Sequence, residues 1–132
     1  MEFKIWLENS WTVDKSPQAI EQEQWSAQGE VQQFLSGEGA ENLFGKEVKL
    51  IPISSFDTSG AVDMMKKVGH GRHGRDYIEK LKKAMLENVP IPPITLWKTW
   101  TGRWRLVSGR HRIVAALELN MTDVPALLMY WR

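Results

Sequence analysis

The stretch VSGRHRIVAAL, residues 107–117, decides how the rest of the chain is read. Strand-forming residues 103–107 lead to Ser108-Gly109, and a helix-forming run opens at about Arg110. A helix start leaves backbone N–H groups unpaired and carries the positive end of the macrodipole. Acidic side chains usually fill that place, yet here Arg110 and Arg112 flank His111. Each arginine repels the dipole and the other arginine, at about a few tenths of a kcal/mol apiece. A docked anion reverses the sign of all these terms. Gly109 lets the backbone approach such an anion, arginine offers a fork of donors suited to phosphate, and His111 can add a hydrogen bond. The competing reading is that both arginines pair with acids elsewhere, Glu118 and Asp123 being the candidates.

Working outward, ITLWKTW and RWRLVS read as a hairpin around Thr101-Gly102. Asn120 stops the helix that begins at Arg110, and DVPALLMYW forms a last strand. Upstream, DYIEKLKKAMLEN has Tyr77, Ile78, Leu81, Met85 and Leu86 at near-helical spacing, and VPIPP ends it. GHGRHGRD, residues 69–76, reads as a basic glycine-rich loop, after a short helix ending at Gly69. KEVKLIPISSF is a strand. Ser16 caps a helix with Pro17 in its first turn; that helix stops near Gly29, and a second helical piece closes at Gly37 and Gly39. Residues 2–8 alternate as a short strand. The sum is one α+β (mixed α/β) domain, a small mixed sheet flanked by helices, over 48–132, with residues 1–47 as an N-terminal elaboration packed on it.

The chain's 132 residues are one domain's worth. With no cysteine, disulfides, thiolate metal sites and a cysteine nucleophile are excluded. No signal peptide and no apolar run long enough to span a bilayer is apparent, so a cytoplasmic protein is expected. The formal charge of +1 hides an asymmetry. Residues 1–47 carry nine acids and three bases, net −6, and the remainder fourteen Lys or Arg against seven acids, net +7. A basic body suggests an anionic ligand, and an acidic segment can compete with that ligand for the same face. Residues 98–112 hold five basic side chains and no acid, interleaved with aromatics. Lys98, Trp100, Arg103 and Arg105, with Trp97 and Trp104 beside them, are therefore candidate nucleic-acid contacts, unless the tryptophans simply pack inward. His70, His73 and His111 do not make a held metal site, because a glycine-rich loop does not fix their spacing, and no metal site is assigned.

The order Pro93-Ile94, Thr101-Gly102 turn, Gly109-Arg110-His111-Arg112, Ala115-Ala116 and Val124-Pro125 resembles the ParB/sulfiredoxin superfamily. The resemblance covers roughly residues 48–130. It implies a ParB/sulfiredoxin-like fold in which the Gly-x-x-Arg turn holds phosphates. By that resemblance Gly109, Arg110, His111 and Arg112 form a phosphate box, with Ser108 as its cap. Arg72 and Arg75, from the segment before the long helix, are second-side contacts. A nucleoside triphosphate with magnesium is the implied cofactor, and nucleotide or DNA the implied partner, with a further protein partner or a homodimer also open.

The departures narrow the chemistry. Arg110 stands where sulfiredoxins carry their cysteine, so sulfiredoxin reductase activity is excluded. Ser108 stands where one branch has aspartate, which removes a carboxylate that would bind magnesium or act as a base. The chain shows no helix-turn-helix after its last strand, so sequence-specific partition-site binding is not expected of it. Three functions stay open: a nucleotide-binding module, extending to NTP hydrolysis or kinase-like phosphoryl transfer; a DNA-binding protein or nuclease using the same surface; and an inert phage- or plasmid-type interaction protein.

Overall fold

The computed structural model describes residues 10–34, 43–64, 71–99 and 101–131. The predicted strand at 2–8 and the glycines at 37, 39 and 69 lie outside these residues, as do His70 and Trp100. Helix α1 is Pro17–Phe34, strand β1 Leu43–Phe44 and β2 Val48–Pro52. After a 3-10 turn at Ile53–Ser55 come α2, Ser59–Met64, and α3, Gly71–Leu86. Strands β3, Ile94–Lys98, and β4, Trp104–Ser108, form the expected hairpin; α4, Arg110–Glu118, and β5, Asp123–Trp131, complete the chain.

The five strands make one mixed sheet in the order β1-β5-β3-β4, with β2 also paired to β5. Strand β5 runs parallel to β3, with Ile94 opposite Ala126 and Lys98 opposite Tyr130, and antiparallel to β1 and β2. Side chains alternate across β5. Val124, Ala126 and Leu128 join Ile94 and Leu96 in the larger core under α3 and α4, where Ile78, Leu81, Met85, Ile113 and Val114 are buried. Leu127 and Met129 face the other way, with Trp97, Val107 and Ala27 of α1. Tyr77 and Leu86, which the helical spacing grouped with the core, are exposed.

Three boundaries differ from the sequence reading. The strand read over residues 46–56 ends at Pro52, where the 3-10 turn Ile53–Ser55 takes over. Helix α1 is continuous from Pro17 to Phe34 and passes through Gly29, so the expected break there is absent. Gly29 has no neighbour near its missing Cβ, and a solvent-facing glycine costs a helix only about 1 kcal/mol. The segment read as a basic loop is helical from Gly71 onward, as the first turns of α3. Gly74 is buried there, inside the helix and not in a turn. Other signals held. Ser16 Oγ accepts from Ala19 N–H at 3.2 Å, the N-cap of α1. Gly102, at φ +86°, closes the β3–β4 turn, and Asn120, at φ +59°, ends α4.

Candidate functional site

Helix α4 begins where the sequence places it. Its N-cap is Gly109, at φ +104° and ψ +27°, with no side-chain cap. Two constraints demand glycine there. The backbone is left-handed, and a Cβ would sit 2.6 Å from Ile94 Cγ2 and 3.0 Å from Ile94 Cβ. The absent side chain therefore makes room for the core. The expectation that Ser108 caps the helix is corrected, since its hydroxyl instead donates to Glu23 Oε1 at 3.3 Å. The β3–β4 register allows this. Thr95 is opposite Ser108 and Leu96 is opposite Leu106, so Val107 is an extra residue in β4. Such a bulge re-aims side chains, and both Val107 and Ser108 address α1.

The arginines of the box diverge. Arg110 lines a cleft of about 460 Å³ together with Arg103, Trp104, Arg105 and Leu106 of the hairpin, Thr99 and Thr101 of its turn, and Asp57, Ser59 and Gly60 at the start of α2. Arg103 and Arg105 are exposed. Trp104 is half-buried, edge-on to Tyr130 at 5.6 Å, with Lys98 Nζ 5.7 Å from its ring centre. Asp57 is the carboxylate of this cleft. It accepts from Ser59 N–H at 2.8 Å, and that backbone donor first, then the Ser59 hydroxyl, holds its carboxyl below the ordinary value of 3.8.

Arg112 turns under α1. Its Nη2 donates to Glu23 Oε1 at 3.0 Å, and its Nη1 donates to the carbonyls of Pro92, at 3.2 Å, and Pro93. The acid that pairs with it is therefore Glu23, 89 residues upstream, and not Glu118 or Asp123. Glu23 is 6% exposed, and its Oε1 also accepts from Thr95 Oγ1 at 3.3 Å. A carboxylate so buried is tolerated only with such partners.

His111 lies edge-on to Tyr77 of α3, with ring centres 5.2 Å apart. Glu118 is engaged by Arg75 Nη1 at 2.9 and 3.0 Å, by Arg75 Nη2, and by Lys82 Nζ at 3.1 Å; Glu79 joins the group at 3.3 Å from Arg75. The hydrogen bond to Glu118, and more weakly the charge of Glu79, raise the Lys82 ammonium above 10.5. Arg75 thus staples α3 to the last residue of α4, roughly 12 Å along that helix from its start at 1.5 Å per residue. The structure brings Arg103, Arg105 and Arg110 together and places Arg75 and Arg112 elsewhere. The Arg72 side chain lies outside the described residues. Trp97 is core, 4% exposed. Among the described residues no group of three His, Asp or Glu is arranged to hold a metal ion, and no helix is long and apolar enough to cross a membrane.

Three participants, Asp57, Ser59 and Glu23, could not be placed at the site from sequence. Asp57 and Ser59 carry the local signature of a helix start, Asp-Thr-Ser, but nothing in sequence places that start across from the hairpin. Glu23 carries no signal beyond the acidity of its segment.

Residues 39–130 match the model of the ParB N-terminal domain. No curated protein matches the chain. Among solved structures, a Pnob8-like ParB-N domain aligns over 68% of this chain at 17% identity and a TM-score of 0.46; the aligned part is 32% of that longer chain.

Proposed function

The chain belongs to the ParB N-terminal domain family, and on that premise we propose that it binds the phosphates of a nucleotide in the cleft between the β3–β4 hairpin and the start of α4. The observation that carries this is the convergence of Arg103, Arg105 and Arg110 on one cleft beside Trp104. Each guanidinium in contact with phosphate gains about 1 to 4 kcal/mol of Coulomb energy between the water and protein-surface limits, before desolvation. The cleft volume of about 460 Å³ falls in the range of small-molecule sites, and the Trp104 ring offers a flat neighbour to a base.

Magnesium, if used, arrives on the phosphates. The cleft offers it Asp57 and the hydroxyls of Ser59, Thr99 and Thr101, not a closed set of protein ligands. Asp57 is held in its ionised form by Ser59, which makes it a poor proton acceptor at neutral pH. The cleft is thus better built to hold phosphate than to move a proton, and hydrolysis or phosphoryl transfer would need a base from a partner or from the ligand.

One observation favours nucleic acid as a second reading. A further recess of about 540 Å³, lined by Ser54, Ser55, Phe56 and Gly102, shares Asp57, Arg103 and Trp104 with the cleft. The two form a path along the hairpin, which suits successive backbone phosphates. Calorimetry with nucleoside triphosphates, with and without magnesium, beside a salt series on DNA separates the readings. Saturable triphosphate binding lost in Arg110→Ala supports the first. DNA binding with a log–log salt slope near −2 to −3, as about three phosphate contacts give, and indifferent to nucleotide, supports the second. Binding of neither leaves the inert interaction protein.

A further inference from the structure

Helix α1 turns an unusual face to the sheet. Its buried positions among the described residues are Ala19, Glu23 and Ala27, each four residues apart, with Ile20 half-buried beside them. Alanine methyls remove little apolar surface from water, so this stripe attaches α1 thinly. At its centre is a carboxylate whose Oε1 accepts from Arg112 Nη2, Thr95 Oγ1 and Ser108 Oγ at 3.0, 3.3 and 3.3 Å. The three donors come from α4, β3 and the end of β4, and all belong to the body of the domain. The acceptor alone comes from the acidic N-terminal segment.

We infer that Thr95, Ser108 and Arg112 form an anion cradle in their own right, and that Glu23 is its internal occupant. Helix α1 is then a tethered ligand of the phosphate box. A phosphate oxygen that enters the cradle displaces Glu23, and displacing Glu23 loosens α1. The two anions exclude each other, because one guanidinium does not balance two buried negative charges. The apparent affinity of the cradle for phosphate is therefore its intrinsic affinity scaled down by the fraction of molecules in which α1 is off. This rests on the reading that the start of α4 takes phosphate, and it adds a regulator to that site: whatever draws α1 away opens the Arg112 half of the box.

Inorganic phosphate titrated into the full chain tests this. Glu23→Gln keeps an oxygen for the three donors and removes the competing charge. It is expected to bind phosphate about tenfold tighter or more, since the closed form no longer holds a charge against the ligand. That gain is expected to vanish in the double variant Glu23→Gln, Arg112→Met. In the wild-type chain, saturating phosphate is expected to speed hydrogen exchange of the α1 amides. Arg103→Ala with Arg105→Ala, which strips the open cleft, is expected to keep both effects; failure of the cleft reading is thereby separated from failure of this one. Unchanged affinity in Glu23→Gln, a gain that survives without Arg112, or α1 exchange indifferent to phosphate each overturns the inference. Should Glu23→Gln fail to fold, the wild-type exchange measurement decides alone.

Discussion

Gly109→Ala is expected to be among the most damaging single-methyl changes in this chain, and the structure says by how much. The residue sits at φ +104°, a conformation that costs a non-glycine residue about 1–3 kcal/mol. The new Cβ would also lie 2.6 Å from Ile94 Cγ2 and 3.2 Å from Ile94 Cα, where carbon atoms prefer about 3.5–4.0 Å. Ile94 is fully buried in a central strand, so it has nowhere to retreat, and overpacking of this kind costs about 1–3 kcal/mol. Together the penalty is about 2–6 kcal/mol, a large part of the roughly 5–15 kcal/mol that holds a domain folded. At a few degrees per kcal/mol for a chain of this size, the melting temperature falls by about 10–20 °C. Urea unfolding followed by tryptophan fluorescence measures it. Ile94→Ala removes the clashing Cγ2, so a double-mutant cycle isolates the contact, with an expected coupling of about 1–3 kcal/mol. Ile94→Val retains a branched Cβ and gives no such relief. A loss below about 1 kcal/mol for Gly109→Ala would refute the assignment of a left-handed, sterically closed position. A loss of full size with no coupling to Ile94 would refute the contact and leave only the backbone term.

Three further outcomes are expected. Arg103→Ala should leave stability within about 0.5 kcal/mol, as exposed substitutions do, while lowering the salt slope of any nucleic-acid binding by about one; an unchanged slope removes Arg103 from the phosphate path. Asp57→Ala should flatten the acid limb of unfolding. The Asp57 carboxyl is lowered from 3.8 by Ser59, so its contribution is present above that value and lost as pH falls through the depressed one. The melting-temperature gap between wild type and variant should therefore close on acidification, and a gap that stays constant contradicts it. Arg75→Ala should cost less than about 1 kcal/mol despite its several contacts to Glu118, because the pair is solvated. A double-mutant cycle with Glu118→Gln reads the coupling, and a value well above that means the staple is more buried than its exposure indicates.

What was legible in the sequence is what single residues enforce locally. Gly102, Gly109 and Asn120 each stand where the backbone has positive φ, so the hairpin turn and both ends of α4 could be placed to the residue. Ser16 and Pro17 mark the start of α1 because an unpaired N–H needs an acceptor and proline needs no donor there. Glycine misled where it does neither. Gly29 is tolerated in the middle of α1, and Gly71 and Gly74 lie inside α3. The box was legible as a motif but not as a site. Helical residues two apart point about 160° away from each other, so Arg110 and Arg112 face nearly opposite ways on one helix. Which way Arg112 turned depended on Glu23 and the proline carbonyls, supplied from other parts of the chain.

The charge asymmetry joins two readings that first looked like rivals. An acidic N-terminal segment on a basic body is either plain attraction within the fold or competition for an external anion; the Glu23–Arg112 pair shows the first and, on the inference that Glu23 occupies an anion cradle, serves the second. Attraction alone would be served by exposed pairs, which cost little to make and to break. Burial changes the argument. Glu23 at 6% exposure must find a cation before α1 can dock, and the cation it finds is Arg112 of the Gly-Arg-His-Arg turn. If Glu23 occupies the cradle as inferred, docking of α1 and access to Arg112 are two sides of one equilibrium, while Arg110, with Arg103 and Arg105, lines a separate cleft.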